Sequence, residues 1–177
     1  MICGGGAREM RRLLIVRHAI AHERDRFRWP DDDDRPLTGA GKRRFRNAAR
    51  GLSRWCNPPD ELLTSTLTRA RQTARILERE AGFPRPIQLA ELRPDGPAEA
   101  LMATLRKRRA KSITVVGHEP QLSELMRKLL GDHGGRLVAP LKKGGMAMIG
   151  FKRRVEAGGG ALLVFALPRA LRSALRK

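Results

Sequence analysis

Leu13-Leu14-Ile15-Val16-Arg17-His18 and, far along the chain, Ser112-Ile113-Thr114-Val115-Val116-Gly117-His118 are the stretches that decide the fold. Each is a short, largely apolar run that ends on a histidine. Such a run suits a strand covered on both faces, the habit of parallel and mixed sheets. Open sheets of this kind bind ligands at the carboxyl ends of their strands. That is where His18 and His118 stand.

Outward from these strands, helical spacing alternates with further extended runs. Thr38 supplies an N-cap for a helix with inner positions Phe45, Ala48, Ala49 and Leu52, running to about Trp55. Residues 61–65 read as a second strand. A helix follows with Ala70, Ala74, Leu77 and Ala81 on its inner face, stopped by Gly82 and Pro84. Residues 87–89 are extended, residues 91–96 form a turn-rich loop, and Ala98, Leu101, Met102 and Leu105 mark a third helix. Behind His118, Pro120 opens a helix carrying Leu122, Leu125, Met126, Leu129 and Leu130. Residues 146–151 and 161–167 read as a hairpin. The alternation predicts an α/β fold, a three-layer α/β/α sandwich around a mostly parallel mixed sheet.

At 177 residues with 41% hydrophobic content, the chain has the length of one domain and enough apolar side chains for one core. We expect a leader over residues 1–9, with Met10 as an alternative start, a single domain over 10–168 and a basic, helical tail over 169–177. Against 18 acidic residues stand 37 basic ones, a formal charge of +19 that favours contact with polyanions. Tyr is absent and aromatics are scarce, which leaves few stacking platforms for single-stranded nucleic acid. Cys3 and Cys56 are the only cysteines, too few for a disulfide framework or a Cys-rich zinc site, and a reducing cytoplasm fits them. No stretch approaches the ~20 apolar residues that span a bilayer, and none reads as a signal peptide.

Arg17, His18, Arg69 and His118 fall at three strand ends or just beyond them. Brought into one crevice they would offer two imidazoles and two guanidiniums, a set suited to phosphate. A transferring phosphoryl group keeps negative charge on its equatorial oxygens, so catalysis is mostly positioning and electrostatic stabilisation. Arginine meets two oxygens with one planar fork and stays charged. A neutral imidazole can attack phosphorus when its other nitrogen donates a hydrogen bond, and that role falls to His18. His118 would donate to an equatorial oxygen as an imidazolium. Because neighbours on a strand alternate, the chain must turn for both Arg17 and His18 to reach the ligand. His22 and His133 read as surface residues in loops.

These motifs resemble the histidine phosphatase superfamily, also called phosphoglycerate mutase-like. Residues 14–19 are similar to its Arg-His signature, Arg35-Pro36-Leu37-Thr38 to the start of its first helix, residues 64–74 to its second phosphate-binding motif, and residues 115–120 to the element carrying its second histidine. Within it, the chain looks most like the SixA-type phosphohistidine phosphatases, which share the Arg-Pro-Leu-Thr segment and a Glu-Leu-x-Pro-x-Gly stretch matched by residues 91–96. The resemblance implies that Arg17, His18, Arg69 and His118 bind and transfer phosphate through a phosphohistidine, with no cofactor and no metal. Ala19 stands where the superfamily usually has Gly, and Thr66 where it usually has Pro.

For a general acid the matching region offers Glu91, with Asp95 as second choice. A phosphorylated imidazole leaves more readily than an alkoxide and needs less help from an acid. Little chain separates Ala19 from Pro36 or Leu92 from Glu99 to build an enclosing lid. Both features point to phosphohistidine on a protein as substrate. The rivals are a broad phosphomonoesterase or mutase-like enzyme, which requires the acid, and a non-catalytic polyanion-binding module using residues 42–44 and 106–109.

Overall fold

The computed structural model describes residues 10–132, 134 and 139–176. The expected leader and His133 lie outside the described residues. The sheet is built from β1 (Arg11–Arg17), β2 (Glu61–Thr64), β3 (Ile87–Gln88), β4 (Ser112–Gly117), β5 (Met146–Phe151) and β6 (Gly160–Ala166). Its six strands lie in the order β3-β2-β4-β1-β5-β6. The pairs β3–β2, β2–β4 and β4–β1 are parallel, while β5 is antiparallel to both β1 and β6. The helices are α1 (Gly39–Leu52), α2 (Thr68–Ala81), α3 (Ala98–Lys107), α4 (Gln121–Leu130) and α5 (Pro168–Ser173).

The apolar run of β1 explains the layering. Leu14 and Val16 point to one face, where they join Phe45, Leu52, Ala74, Leu77 and Leu171 of α1, α2 and α5. Leu13 and Ile15 point to the other, against Leu101, Leu105, Leu122, Leu125 and Leu129 of α3 and α4. Both faces are therefore apolar, so β1 lacks the polar alternation of a half-exposed strand. The expected mixed α/β sandwich is the observed architecture. Among the described residues no helix is long and apolar enough to cross a membrane.

Local rules account for most boundaries. The Thr38 hydroxyl accepts from Gly41 N–H at 2.8 Å and starts α1, and Gly82, left-handed at φ 68°, ends α2. The first helix stops at Leu52, short of Trp55, where the chain tightens into i→i−3 turns, Arg54 N–H donating to Gly51 O and Trp55 N–H to Leu52 O. Pro120 stands one residue before α4 as its cap, and β3 has only two residues.

One close approach fixes how the basic end of the chain sits. Gly51 faces the backbone of α5 so closely that a Cβ there would lie 1.8 Å from Leu171 O. Gly51→Ala should therefore lower stability by about 1–3 kcal/mol through overpacking, read as a lower urea midpoint with the slope unchanged.

Candidate active site

Register brings the two histidines together. Arg17 pairs with Gly117 across β1 and β4, and His18 N–H continues the ladder to Gly117 O at 3.0 Å. The rings of His18 and His118 lie 5.0 Å apart, tilted by 50°. The connection after β1 leaves to the α1 face and that after β4 to the α4 face, so the histidines sit where neighbouring strands part company. Arg69 arrives from the first turn of α2, beyond β2. His18, Arg69 and His118 are all buried.

The chain turns after β1 without the left-handed backbone that a glycine would allow. Among the described residues no non-glycine has a positive φ, Ala19 included. Ala19 N–H donates to Thr73 Oγ1 at 3.0 Å, and Thr73 Oγ1 donates to Arg69 O at 2.7 Å, locking the turn to α2. Ala19 O accepts from His18 Nδ1 at 2.7 Å. A carbonyl only accepts, so Nδ1 carries the proton and the lone pair of the neutral ring is on Nε2.

The cations are held from behind. Arg17 Nη1 donates to Leu141 O at 2.7 Å, and Leu141 N–H donates in turn to the Glu119 carboxylate at 2.8 Å. Arg69 Nη1 donates to Asp32 O at 2.8 Å, with Nη2 3.2 Å from the Asp32 carboxylate. What remains unpartnered is telling. Of seven fully buried side-chain polar atoms without a hydrogen-bond partner among the described residues, four are Arg17 Nε, Arg69 Nε and both ring nitrogens of His118. Buried polar groups are almost always satisfied, and an anion in this crevice could accept from Arg17 Nε, Arg69 Nε and the single N–H of a neutral His118 ring.

Burial pushes His18 down to about 3, against the Ala19 hydrogen bond and with the help of Arg69, Arg17 and Lys143. His118 is pushed down to about 2, first by burial and then by the positive charge of His18, Arg69, Arg17 and Arg35. Both rings are thus neutral near pH 7, which suits a nucleophile at His18. It differs from the imidazolium expected at His118, because the surrounding cations make a further positive charge unfavourable until an anion offsets them.

Glu91 is placed differently from the other four. It sits in a short 3-10 turn (Ala90–Leu92), where its carboxylate accepts from Thr104 Oγ1 of α3 at 2.9 Å. Its own backbone N–H, then Thr104, then Arg108 hold it below the usual carboxylate range. It therefore faces α3 as a carboxylate, without the raised proton affinity that a general acid needs. Asp95 is exposed and lies 3.4 Å from Arg93.

Sequence reading missed the acidic support. Asp32 lies in a 3-10 turn (Asp32–Asp34) of the segment read as a plain loop. Burial works to raise it, but the Arg35 hydrogen bond and the charges of Arg69, Arg35 and Arg24 hold it low. Arg93 pairs with Asp33 at 2.5 Å and donates to Thr66 Oγ1 at 3.3 Å, a bond that proline at 66 could not accept. The four consecutive aspartates were the available signal. His22 does lie in a loop, its ring 5.0 Å from that of Trp29. Among the described residues no group of three or more His, Cys, Asp or Glu is placed to hold a metal ion.

The fold is that of an α/β sandwich with this crevice at its strand ends. The model of the histidine phosphatase superfamily (branch 1) matches residues 13–93. An uncharacterised protein of Picosynechococcus is 37% identical over 138 residues, covering 76% of this chain and 81% of that protein. The chain belongs to the histidine phosphatase superfamily, and it is a phosphatase-type hydrolase. In fold it is of the SixA type. The structure of the protein histidine phosphatase SixA with tungstate superposes with a TM-score of 0.76 at 24% identity, over 90% of this chain and 99% of that one. A SixA described as a phosphohistidine phosphatase from Nakamurella multipartitia gives 0.71 at 25% identity, over 90% and 96%.

Two outcomes follow from the electrostatics. An imidazole in the unfolded chain takes a proton near pH 6.5, whereas both folded rings resist it to lower pH. Stability present above about pH 6.5 is therefore lost as pH falls toward the folded values, at up to about 1.4 kcal/mol per pH unit per ring. Urea midpoints should drop between about pH 7 and pH 4.5, and His118→Gln should flatten that drop; equal slopes would contradict a neutral buried ring. Asp32→Asn removes the ionic hold on Arg69 Nη2. It should reduce kcat/KM on a phosphorylated substrate roughly tenfold, the order of one hydrogen bond to a charged group.

Proposed function

We propose that this phosphatase transfers the phosphoryl group to His18 and that its substrate is phosphohistidine carried on a protein. The observation that carries the reading is the Nδ1 to Ala19 O hydrogen bond, which leaves Nε2 of a neutral ring to attack. In the first step Nε2 forms a bond to phosphorus as the phosphorus–nitrogen bond of the substrate breaks and its imidazole leaves. In the second, water cleaves the Nε2–phosphorus bond, releasing orthophosphate and returning His18.

Arg17, Arg69 and His118 take the equatorial oxygens in this reading, so protein groups alone counter the charge that the transition state keeps. Loss of one such donor would raise the barrier by about 2.7–4 kcal/mol. The orientation of Glu91 toward Thr104 favours a leaving group that needs little acid, which an imidazole is and an alkoxide is not. A cytoplasmic location, where phosphohistidine proteins and reduced Cys56 would both be found, belongs to the same proposal.

The test is acid-quenched labelling with a protein carrying ³²P-phosphohistidine. Wild type should release phosphate and pass through an acid-labile label that His18→Ala lacks. Brisk turnover of alkyl phosphates that Glu91→Gln abolishes, with phosphohistidine untouched, would replace this reading by the phosphomonoesterase. Binding of RNA or polyphosphate with steep salt dependence, and no turnover at all, would replace it by the polyanion-binding module.

A further inference from the structure

Beside the crevice, α1, α5 and the turn before β5 enclose a groove of about 410 Å³. Its rim carries Arg44 from α1, Lys142 and Lys143 from the turn, and Arg169 and Arg172 from α5. Among the described residues no carboxylate lines it, and none of these five cations forms an ion pair there. Its floor is apolar, made by Ile20, Phe45, Leu167 and Pro168. Arg44, expected on a polyanion surface, and Arg169 and Arg172 of the expected basic tail meet along this groove.

The groove adjoins the segment that carries the reacting group. Ala19 lines it while its carbonyl holds His18 Nδ1. Gly144, which also lines it, donates its N–H to the carbonyls of both Arg17 and His18, at 3.1 Å and 3.0 Å. The charge of Lys143 reaches the His18 ring.

A second basic groove on the molecule differs in carrying acidic charge in its lining. About 560 Å³ lies between α1 and α2, bounded by Lys42, Arg46, Arg71, Arg75 and Arg79. Its walls mix polar and apolar surface, Ile76 and Pro86 among them, and Glu80, which also lines it, pairs with Arg46. A phosphate chain there would meet the Glu80 carboxylate. In the α1–α5 groove the same chain would meet the rim but lay its hydrated backbone on Phe45 and Leu167, and charged groups resist desolvation against apolar surface. The fitting occupant has carboxylates for the unpaired cations and apolar side chains for the apolar lining.

We propose that the α1–α5 groove docks an acidic, leucine-bearing segment of the substrate protein, flanking the phosphohistidine and delivering it to His18. The proposal rests on the phosphohistidine-protein reading above and adds the feature of the substrate that is recognised. Docking of this kind draws its selectivity from ground-state binding, so it lowers KM and leaves kcat near that of an unflanked substrate.

The test uses the full chain and three fluorescent probes: a peptide alternating glutamate and leucine, the same peptide with serine for each leucine, and polyphosphate of matched charge. By anisotropy the leucine peptide should bind about tenfold more tightly than either of the others, and Arg44→Gln with Arg172→Gln should remove that advantage. Turnover of free phosphoramidate by the double variant should match wild type, which shows that the crevice is intact. A phosphohistidine peptide with the glutamate-leucine flank should show about a tenfold lower KM than one with a serine flank, at similar kcat. Equal binding of all three probes, or a double variant that binds like wild type, would overturn the groove proposal while leaving phosphohistidine turnover standing. Peptide binding without turnover of any phosphohistidine substrate would overturn instead the reading on which it rests.

Discussion

Parallel pairing of β1 with β4 is the constraint on which the rest depends. The two strands are distant in the sequence, yet their register sets Arg17 opposite Gly117 and brings the following histidines within 5.0 Å. A one-residue slip would turn every β1 side chain to the opposite face. Leu13 and Ile15 would then leave the α3–α4 side and Leu14 and Val16 the α1–α2 side, so the apolar packing of both layers specifies the register that the crevice uses.

Gathering Arg17, Arg69 and two histidines in a buried place carries its own electrostatic difficulty, and the structure offsets it from outside the crevice. Asp32 and Glu119 supply negative charge behind the guanidiniums, and backbone carbonyls of Leu141 and Asp32 take their terminal nitrogens. The Nε atom of each arginine is left without a hydrogen-bond partner. This division of each arginine into a held end and an unpartnered end depends on carboxylates and backbone carbonyls contributed by three separate loops. A charge count could not reveal it.

Much of this was legible in the chain. The apolar runs ending on His18 and His118, the Thr38 cap and the helical spacing through Ala70, Ala74 and Leu77 are local signals, and the fold keeps them. The positions of Arg17, Arg69 and His118 relative to strand ends were legible for the same reason. The supporting shell was not. Asp32 and Arg93 act through partners 37 and 60 residues away, and Glu91 meets a helix rather than the crevice because of a packing choice that no spacing encodes. Trp55 falling outside α1 is a smaller case, since the turn at Ser53 competes with helical propensity that continues past it.

The neutral state of the paired imidazoles carries a consequence for how the crevice accounts for protons. Each ring is kept from protonation by burial and by neighbouring positive charge. An entering dianion offsets that positive charge and raises the proton affinity of His118, while the Ala19 hydrogen bond keeps the Nε2 lone pair of His18 free. Anion and proton then bind as a linked pair, each raising the affinity for the other. The heat of anion binding would accordingly include the ionisation heat of whichever buffer gives up the proton. In this crevice electrostatic selection and proton uptake are one equilibrium.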